Sequence, residues 1–233
     1  VVNEPLLEKL AEISAGNRLE PYVYDISYVS GAHFSGWEDN ERREARLTKL
    51  LRHCATVYTE SRVTEMEINK FAAARGMEFD IVTTGLRGKP AGETSKRGGR
   101  HLPKKPFVLY VSSFNRRKNH DFIIKVWKDL YRTESALKQK GARLLLAGEV
   151  QGELKFADQT FIKTLAEFNI DVITGASDEE IQEYLRHCVF TVYPSLQEGW
   201  GIPIQESLTS GKVVSPLSRF PRRRRSLILP SLN

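Results

Sequence analysis

The chain of 233 residues has only two cysteines, Cys54 and Cys188, and no apolar run that approaches the length of a membrane-spanning helix. Two cysteines are too few for a disulfide-rich secreted scaffold. Residues 1–16 form an acidic amphipathic stretch, which is unlike a secretory signal peptide. These absences favour a cytoplasmic protein in a reducing compartment, with peripheral association at the inner face of the membrane left open.

The positive charge is concentrated near the C-terminus. The formal net charge is +6, and five arginines between residues 219 and 225 account for five of those charges, while no acidic residue follows Glu206. Such a run can bind phosphates, but a block of like charges is more often a solvated, disordered segment. We therefore predict that residues 218–233 form a basic tail, and nucleic-acid binding through this tail is the least favoured functional hypothesis.

Strand-like and helix-like segments alternate along the chain. The predicted strands are 21–27, 55–61, 79–85, 107–113, 142–150, 170–175, 188–195 and 212–217. The predicted helices are 38–53, 62–75, 119–132, 158–168, 177–187 and one that begins near Pro203 and ends before Gly211. In the helix 119–132, the apolar stripe is Phe122, Ile123, Val126, Trp127 and Leu130. This alternation predicts an α/β fold with a doubly wound parallel sheet and helices on both faces.

The pattern divides the chain into four segments. Residues 1–86 are predicted to be a partial Rossmann-like domain, and residues 87–106, rich in Gly, Lys, Arg and Pro, a linker. Residues 107–217 form the second, more complete Rossmann-like domain, and residues 218–233 are the tail. Ligands of such sheets bind outside the carboxyl ends of the strands, so the loops that follow the strands are the places to look for a site.

The stretch EGWGIPIQE, from Glu198 to Glu206, follows a predicted strand and contains two glycines and a proline, which exclude a continuous helix. It predicts a strand, a tight loop and a helix whose first turn includes Glu206. Free N–H groups around Gly201, Ile202 and Ile204 would form an anion site at the helix start. Two carboxylates beside a phosphate cradle suit a sugar nucleotide, with diols on both sides of a diphosphate. The alternative is that Glu206 only neutralises the helix dipole and Glu198 is incidental.

The stretch SSFNRRKNH, residues 112–120, follows the first strand of the same predicted sheet. It places Arg117 and Lys118 in a loop on the ligand-binding edge, with Asn119 or His120 as the cap of the next helix. A lysine there could hold a diphosphate and stabilise the charge that grows as it leaves. The alternative is a solvated basic loop.

In their order along the chain, SSFNRRKNH and then EGWGIPIQE, the two motifs resemble the C-terminal domain of a GT-B glycosyltransferase of the large retaining family four. This family is also described as glycosyl transferases group 1. The resemblance covers about residues 105–214, and EGWGIPIQE matches the family's Glu-x7-Glu signature with Trp200 where Phe is commonest. The family often has Gly and Arg after the first strand, where this chain has Val111 and Ser112. This departure shifts the expected phosphate contacts to Arg117 and Lys118.

The resemblance implies a role for each site residue. Glu198 and Lys118 would be the catalytic pair, with Glu198 contacting the donor sugar and Lys118 the diphosphate. The donor-binding residues would be Ser112, Arg117, Gly199, Trp200, Gly201, Ile202 and Glu206, the last holding the ribose hydroxyls. Such enzymes need no bound metal or cofactor, and the sequence has no Asp-x-Asp motif, which is typical of the other main glycosyltransferase fold.

The sequence therefore predicts a retaining hexosyltransferase that moves a sugar from a nucleotide-diphosphate sugar to a glycan or lipid-linked acceptor. The stretch GAHFSGW, residues 31–37, is a candidate acceptor-side loop. Fewer than ninety residues precede the linker and the closing segment is unlike the family, so we expect a chain truncated at both ends. The alternative function is therefore a catalytically inactive fragment that binds nucleotide sugars.

Overall fold

In the computed structural model, the described residues are 19–26, 37–86 and 102–216, with side chains described from residue 41 in the second range and up to residue 215 in the third. They form two α/β units, one on each side of the predicted linker. The predicted tail, most of that linker and nearly all of the candidate loop GAHFSGW lie outside the described residues. None of the helices in these ranges combines the length and apolar character needed to cross a membrane.

The first unit is a small parallel sheet with two helices. Its elements are α1 Trp37–Leu51, β1 Thr56–Thr59, α2 Arg62–Ala73 and β2 Asp80–Thr83. β1 and β2 pair in parallel, so the carboxyl ends of both strands lie at the same edge. Ser61 caps α2 by accepting a hydrogen bond from the Thr64 amide, which explains why β1 ends two residues earlier.

The strand predicted at 21–27 is not a continuous strand. Leu19 and Tyr22 make isolated parallel bridges to the chain around β1, on the side away from β2. Pro21 lies between them and has no N–H to donate, so the ladder is interrupted there. The segment nevertheless runs alongside β1 and extends the small sheet.

The second unit contains a five-stranded sheet with the order β5-β4-β3-β6-β7, in which every neighbouring pair is parallel. Its strands are β3 Phe107–Val111, β4 Arg143–Ala147, β5 Ile170–Ile173, β6 Phe190–Tyr193 and β7 Val214–Pro216. Its helices are α3 His120–Thr133, α4 Ser135–Lys140, α5 Gln159–Ala166, α6 Asp178–His187 and α7 Ile202–Thr209, with 3₁₀ turns at Arg116–Lys118 and Leu154–Ala157. The predicted α/β class with a doubly wound parallel sheet is confirmed.

The core of this unit lies on both faces of the sheet. Val108 and Tyr110 pack in the layer that also contains residues of α3 and α5, whereas Phe107 and Leu109 pack in the layer with α6. Because successive side chains of a strand point to opposite faces, a strand covered on both sides is apolar throughout. This is the physical reason for the uninterrupted run FVLYV.

The buried face of α3 is rotated relative to the predicted stripe. Its buried residues are His120, Ile123, Ile124 and Trp127. Phe122 and Leu130 are each 42% exposed, although the stripe included them. Apolar residues lie on both sides of the row formed by Ile123 and Trp127 on the helix surface. The side that packs against the sheet is buried, and the other side stays exposed to solvent.

Candidate functional site

Two loops at the carboxyl edge of the large sheet are joined by backbone hydrogen bonds. One follows β3 and contains the 3₁₀ turn Arg116–Lys118, and the other follows β6. The Leu196 amide donates to the Arg117 carbonyl at 2.9 Å, and the Asn119 side chain donates to the Pro194 carbonyl at 3.1 Å. The structure therefore brings together the two motifs predicted to share this edge.

Asn119 occupies the N-cap position of α3, but its side chain is used elsewhere. It adopts the left-handed conformation, with φ 58° and ψ 42°, and its side chain makes no capping hydrogen bond to α3. Asparagine tolerates this conformation better than most residues, and its amide is used instead to hold the second loop. His120 is the first residue of the helix and is buried in the core with 1% exposure. Of the two candidates, Asn119 therefore occupies the N-cap position, although without a side-chain capping bond, and His120 does not.

The centre of the site is an ion cluster of one carboxylate and two cations. Lys118 Nζ lies 2.6 Å from Glu198 Oε1, and Arg117 Nη1 lies 3.0 Å from Glu198 Oε2. The side chains of Lys118 and Glu198 are each 10% exposed, and that of Arg117 is 20% exposed. Each of them therefore keeps a small surface that a ligand can reach. The predicted catalytic pair is thus in direct contact.

Burial shifts the protonation equilibria of this cluster. Burial alone would raise the pKa of Glu198, but the adjacent Lys118 and Arg117 outweigh it and hold that pKa below its ordinary value. Burial lowers the pKa of Lys118, and the charge of Glu198 opposes this only in part. Glu198 is therefore an anion at neutral pH, which stabilises the charged form of both neighbouring cations.

The start of α7 differs in part from the predicted anion site. Gly201 precedes the helix with φ 82°, a left-handed conformation that favours glycine. The Ile204 amide donates to the Gly201 carbonyl at 2.9 Å, so it is not one of the predicted free N–H groups. Ile202 is 48% exposed at the first helical position. The predicted amide cradle is therefore reduced to the amides of Gly201 and Ile202.

Glu206 lies on α7 just beyond the first turn, because the helix starts one residue earlier than predicted. The helix begins at Ile202, and its first turn contains no acidic residue. Glu206 is half-buried. Burial of the Tyr193 phenol is the largest cause that raises its pKa, and the negative charge of Glu206 also raises it. The hydroxyl of Tyr193, the last residue of β6, donates to the Pro203 carbonyl at 2.8 Å and lies 2.8 Å from Ser207 Oγ, so this part of α7 lies near the carboxyl edge of the sheet.

Trp200 connects the loop to the first unit. Its Nε1 donates to Gln205 Oε1 at 2.6 Å, and Gln205 Nε2 in turn donates to the Leu86 carbonyl at 3.2 Å. A Cβ added to Gly85 would lie 3.8 Å from the Trp200 ring, so the indole packs against the end of the first unit. The sequence assigned Trp200 to donor binding, and the contacts observed here join it to the chain that leaves β2.

Ser112 faces the core. It is 6% exposed, and its Oγ lies 3.1 Å from His120 Nε2. Burial, followed by the charge of Lys118, lowers the pKa of His120 to about 3, so the imidazole is neutral at physiological pH. Within the described part of the chain His120 Nδ1 has no hydrogen-bond partner, which favours the tautomer that carries its proton on Nε2. The Ser112 hydroxyl then accepts from His120 and keeps its own proton for another acceptor.

Three side chains of the first unit lie next to the two loops of the site, and the sequence analysis did not assign them a role. Asp25 Oδ2 lies 4.0 Å from Arg117 Nη2, and Gln197 Nε2 donates to Glu67 Oε1 at 2.6 Å. Glu60 is 1% exposed and accepts from the hydroxyls of Thr59 and Thr64 at 3.3 and 3.2 Å. Burial is the largest cause that raises the pKa of Glu60. The only sequence signal was the position of Glu60 near the carboxyl end of the predicted strand 55–61.

Gly199 allows the two units to approach closely. A Cβ at this position would lie 2.9 Å from the Tyr24 carbonyl oxygen and 3.0 Å from Glu60 Oε1. Any larger side chain would therefore push the loop away from the first unit. The contacts of Gly199 and Trp200 show that the loop after β6 is shared by both units.

The sequence profile of the family described as glycosyl transferases group 1 matches residues 93–214, the segment that contains both loops. No curated protein is significantly similar to the chain in sequence.

Solved structures with a similar fold include a trehalose-phosphate synthase and a glycosyltransferase. An α,α-trehalose-phosphate synthase (UDP-forming) from Burkholderia xenovorans in complex with glucose-6-phosphate superposes with a TM-score of 0.69 at 10% identity, covering 91% of this chain and 56% of that one. HepE from Anabaena, in complex with UDP and glucose, gives 0.62 at 18% identity, covering 91% and 56%. WaaG, a glycosyltransferase involved in lipopolysaccharide biosynthesis, gives 0.59 at 15% identity, covering 91% and 62%.

At these identities the similarity concerns the fold, which is that of GT-B glycosyltransferases. The chain spans a little over half the length of these proteins.

Proposed function

The chain belongs to the family of group 1 glycosyl transferases, and we propose that it binds a nucleotide-diphosphate sugar and transfers the sugar to a glycan or lipid-linked acceptor. The observation that carries this proposal is the cluster of Arg117, Lys118 and Glu198 at the carboxyl edge of the large sheet. Open α/β sheets bind their ligands at this edge. UDP is the first nucleotide to test, because a solved structure with this fold contains UDP and glucose.

The ion cluster can accept a diphosphate without being taken apart. An ammonium group has three N–H donors, and Glu198 Oε1 takes one of those of Lys118. Arg117 has five donors, of which Nη1 is directed at Glu198 and at the Gln197 carbonyl. The remaining donors can bind phosphate oxygens. The same carboxylate has further lone pairs that can accept hydrogen bonds from sugar hydroxyls.

This geometry supports a step in which the bond between the sugar carbon and the diphosphate oxygen breaks. Negative charge then grows on the leaving diphosphate, and Lys118 and Arg117 stabilise it from fixed positions. Because burial limits the access of water to the cluster, these interactions are stronger than on an exposed surface. We further propose that transfer retains the configuration of the sugar and needs neither a metal nor a cofactor, as the family resemblance implies.

The second carboxylate supports recognition of the nucleoside. Glu206 is half-buried near the end of β6, where a ribose diol could donate two hydrogen bonds to it. The exposed Ile202 side chain and the amides of Gly201 and Ile202 lie between Glu198 and Glu206 in the sequence, beside the proposed path of the donor. The acceptor would approach from the first unit, whose residues Asp25 and Glu60 adjoin the loop.

Binding of UDP, GDP and ADP and of their glucose conjugates, measured by calorimetry and by thermal shift, tests the proposal. A ligand present at 100 times its Kd should stabilise the chain by about 2.7 kcal/mol. Lys118→Met should abolish most of this gain, whereas the matched variant Lys125→Met, on the exposed side of α3, should retain it. Failure of all six ligands to bind, or equal binding by the two variants, would contradict the assignment of the site.

Release of the nucleoside diphosphate from the donor that binds, measured with and without an acceptor glycan, separates transfer from binding alone. Turnover that depends on Glu198 and Lys118 supports the enzyme. Binding without turnover, lost on Glu206→Ala, supports the alternative of an inactive nucleotide-sugar-binding fragment, which the partial coverage of the solved structures keeps in consideration.

A further inference from the structure

Of the three carbonyl groups of the 3₁₀ turn, one accepts the closing bond of the turn itself and two accept hydrogen bonds from other parts of the chain. The Arg116 carbonyl accepts from the Asn119 amide at 3.2 Å, and the Arg117 carbonyl accepts from the Leu196 amide at 2.9 Å. The Lys118 carbonyl accepts from the Tyr110 hydroxyl at 2.7 Å. The last carbonyls of a helical turn have no partner within the turn itself, so each must be satisfied from outside.

Tyr110 lies on β3 and has no exposed surface. Its ring packs at 4.8 Å from the ring of His120 and at 5.6 Å, edge to face, from that of Tyr193. These ring contacts and the complete burial of the side chain hold the hydroxyl at a defined position next to the turn. The same oxygen lies 3.3 Å from Ser195 Oγ, at the start of the second loop.

The hydroxyls of Tyr110 and Ser195 therefore link the backbone of Lys118, which supplies the cation, to the loop that carries Glu198. Since the Tyr110 proton is used on the Lys118 carbonyl, Ser195 is the donor in any bond between the two hydroxyls. Ser195 is 1% exposed and precedes Glu198 by three residues. One buried oxygen thus contacts the backbone of the residue that supplies the amine and the second residue of the loop that supplies the carboxylate.

We propose that Tyr110 is a positioning residue, whose hydroxyl, together with that of Ser195, fixes Lys118 and Glu198 relative to each other so that the lysine meets the diphosphate of the donor. This inference rests on the proposed function. A buried tyrosine hydroxyl usually has a hydrogen-bond partner, and a purely structural role would require no particular one. Here the partners are the two chain segments that form the ion cluster.

The test compares Tyr110→Phe with Tyr184→Phe. Both tyrosines are buried in the same unit, and within the described residues the Tyr184 hydroxyl has no hydrogen-bond partner, so this variant removes an equivalent oxygen that bonds to nothing. The probes are UDP and uridine, with binding measured by calorimetry. Tyr110→Phe should weaken UDP by about tenfold and leave uridine unchanged, because the lost hydrogen bond acts on the phosphate contact. Tyr184→Phe should change neither.

Hydrogen exchange of residues 115–119 supplies a readout that needs no ligand. Amides of this segment should exchange about tenfold faster in Tyr110→Phe than in the wild type, and at the wild-type rate in Tyr184→Phe. Ser195→Ala, which leaves the bond to the Lys118 carbonyl intact, should weaken UDP in the same direction but less. This variant keeps the proposal open to test if Tyr110→Phe folds poorly.

The outcomes separate the two claims. If the wild type binds no UDP, the proposed ligand is wrong, while the exchange rates still decide whether Tyr110 holds the turn. If UDP binds and Tyr110→Phe lowers its affinity no more than Tyr184→Phe does, or lowers that of uridine equally, Tyr110 is only a core residue and the inference is overturned.

Discussion

Replacing Glu198 by Gln should reveal how strongly the ion cluster holds the two loops together. The variant keeps the shape of the side chain but leaves the charges of Lys118 and Arg117 without their carboxylate. Because Lys118 is only 10% exposed, water replaces the lost partner poorly. Removing one member of a buried pair typically costs 3–5 kcal/mol, and since Gln can still accept one hydrogen bond we expect about 3 kcal/mol.

The matched control is Asp129→Asn. Asp129 pairs with Arg132 on α3 at 3.5 Å, and both side chains are 60% exposed, so its loss should cost less than about 1 kcal/mol. Equilibrium unfolding in urea gives both values, provided that the slope with denaturant is the same for all three proteins. Equal losses in the two variants would refute the conclusion that the cluster is electrostatically shielded.

The pH dependence of the Glu198→Gln effect has a defined sign. The pKa of Glu198 is lowered in the folded state, so its stabilising contribution is complete above the unfolded value of 4.5 and is lost as the pH falls through the folded value. The difference in unfolding free energy between wild type and Glu198→Gln should therefore be constant near neutral pH and should decrease in acid. A difference that grows in acid would mean that the carboxylate is not ion-paired.

Three further outcomes follow from the buried groups. The pKa of His120 is lowered from 6.5 to about 3, so as the pH falls the unfolded state takes up the proton first. Between pH 7 and pH 5, the unfolding free energy of the wild type in urea should therefore fall by about 2 kcal/mol more than that of His120→Phe. Parallel pH profiles of the two proteins would refute this. Gly199→Ala should cost about 1–3 kcal/mol, because the new methyl group meets the Tyr24 carbonyl, and a neutral effect in the same assay would show that the units are not in contact there. Burial raises the pKa of the Cys54 thiol to about 11 and also raises that of Cys188. A thiol reagent at pH 8 should therefore detect no thiol in the native chain and two after denaturation. Rapid labelling of the native chain would contradict the buried positions of the two cysteines.

Local signals in the sequence were sufficient for most of the fold. The apolar runs at β3 and β4 mark strands covered on both faces, and the capping box of Ser177 and Glu180 marks the start of α6. The short helix α4 escaped prediction because its six residues are all at least partly exposed and show no apolar period. Local patterns also placed the two motifs on one edge, since parallel strands share their carboxyl ends.

The parts of the site that the sequence missed depend on contacts between distant residues. Ser195 meets Tyr110 across 85 positions of the chain, and Gln197 meets Glu67 across 130. Nothing in the neighbourhood of Tyr110 indicates that its hydroxyl serves a loop rather than the core. In the same way, the pairing of Glu198 with Lys118 requires knowing how two loops approach, which only the packed sheet determines.

The most direct test of the central claim is a structure of the chain with UDP bound. The account predicts that the diphosphate lies at the carboxyl edge of the large sheet, with a phosphate oxygen within hydrogen-bond distance of Lys118 Nζ, about 3 Å, and the ribose hydroxyls at Glu206. The account would be contradicted by UDP bound elsewhere, while Lys118 pairs with Glu198 and makes no contact with phosphate. One such place is the cavity of about 560 Å³ whose lining includes Lys104, Lys105 and Arg143.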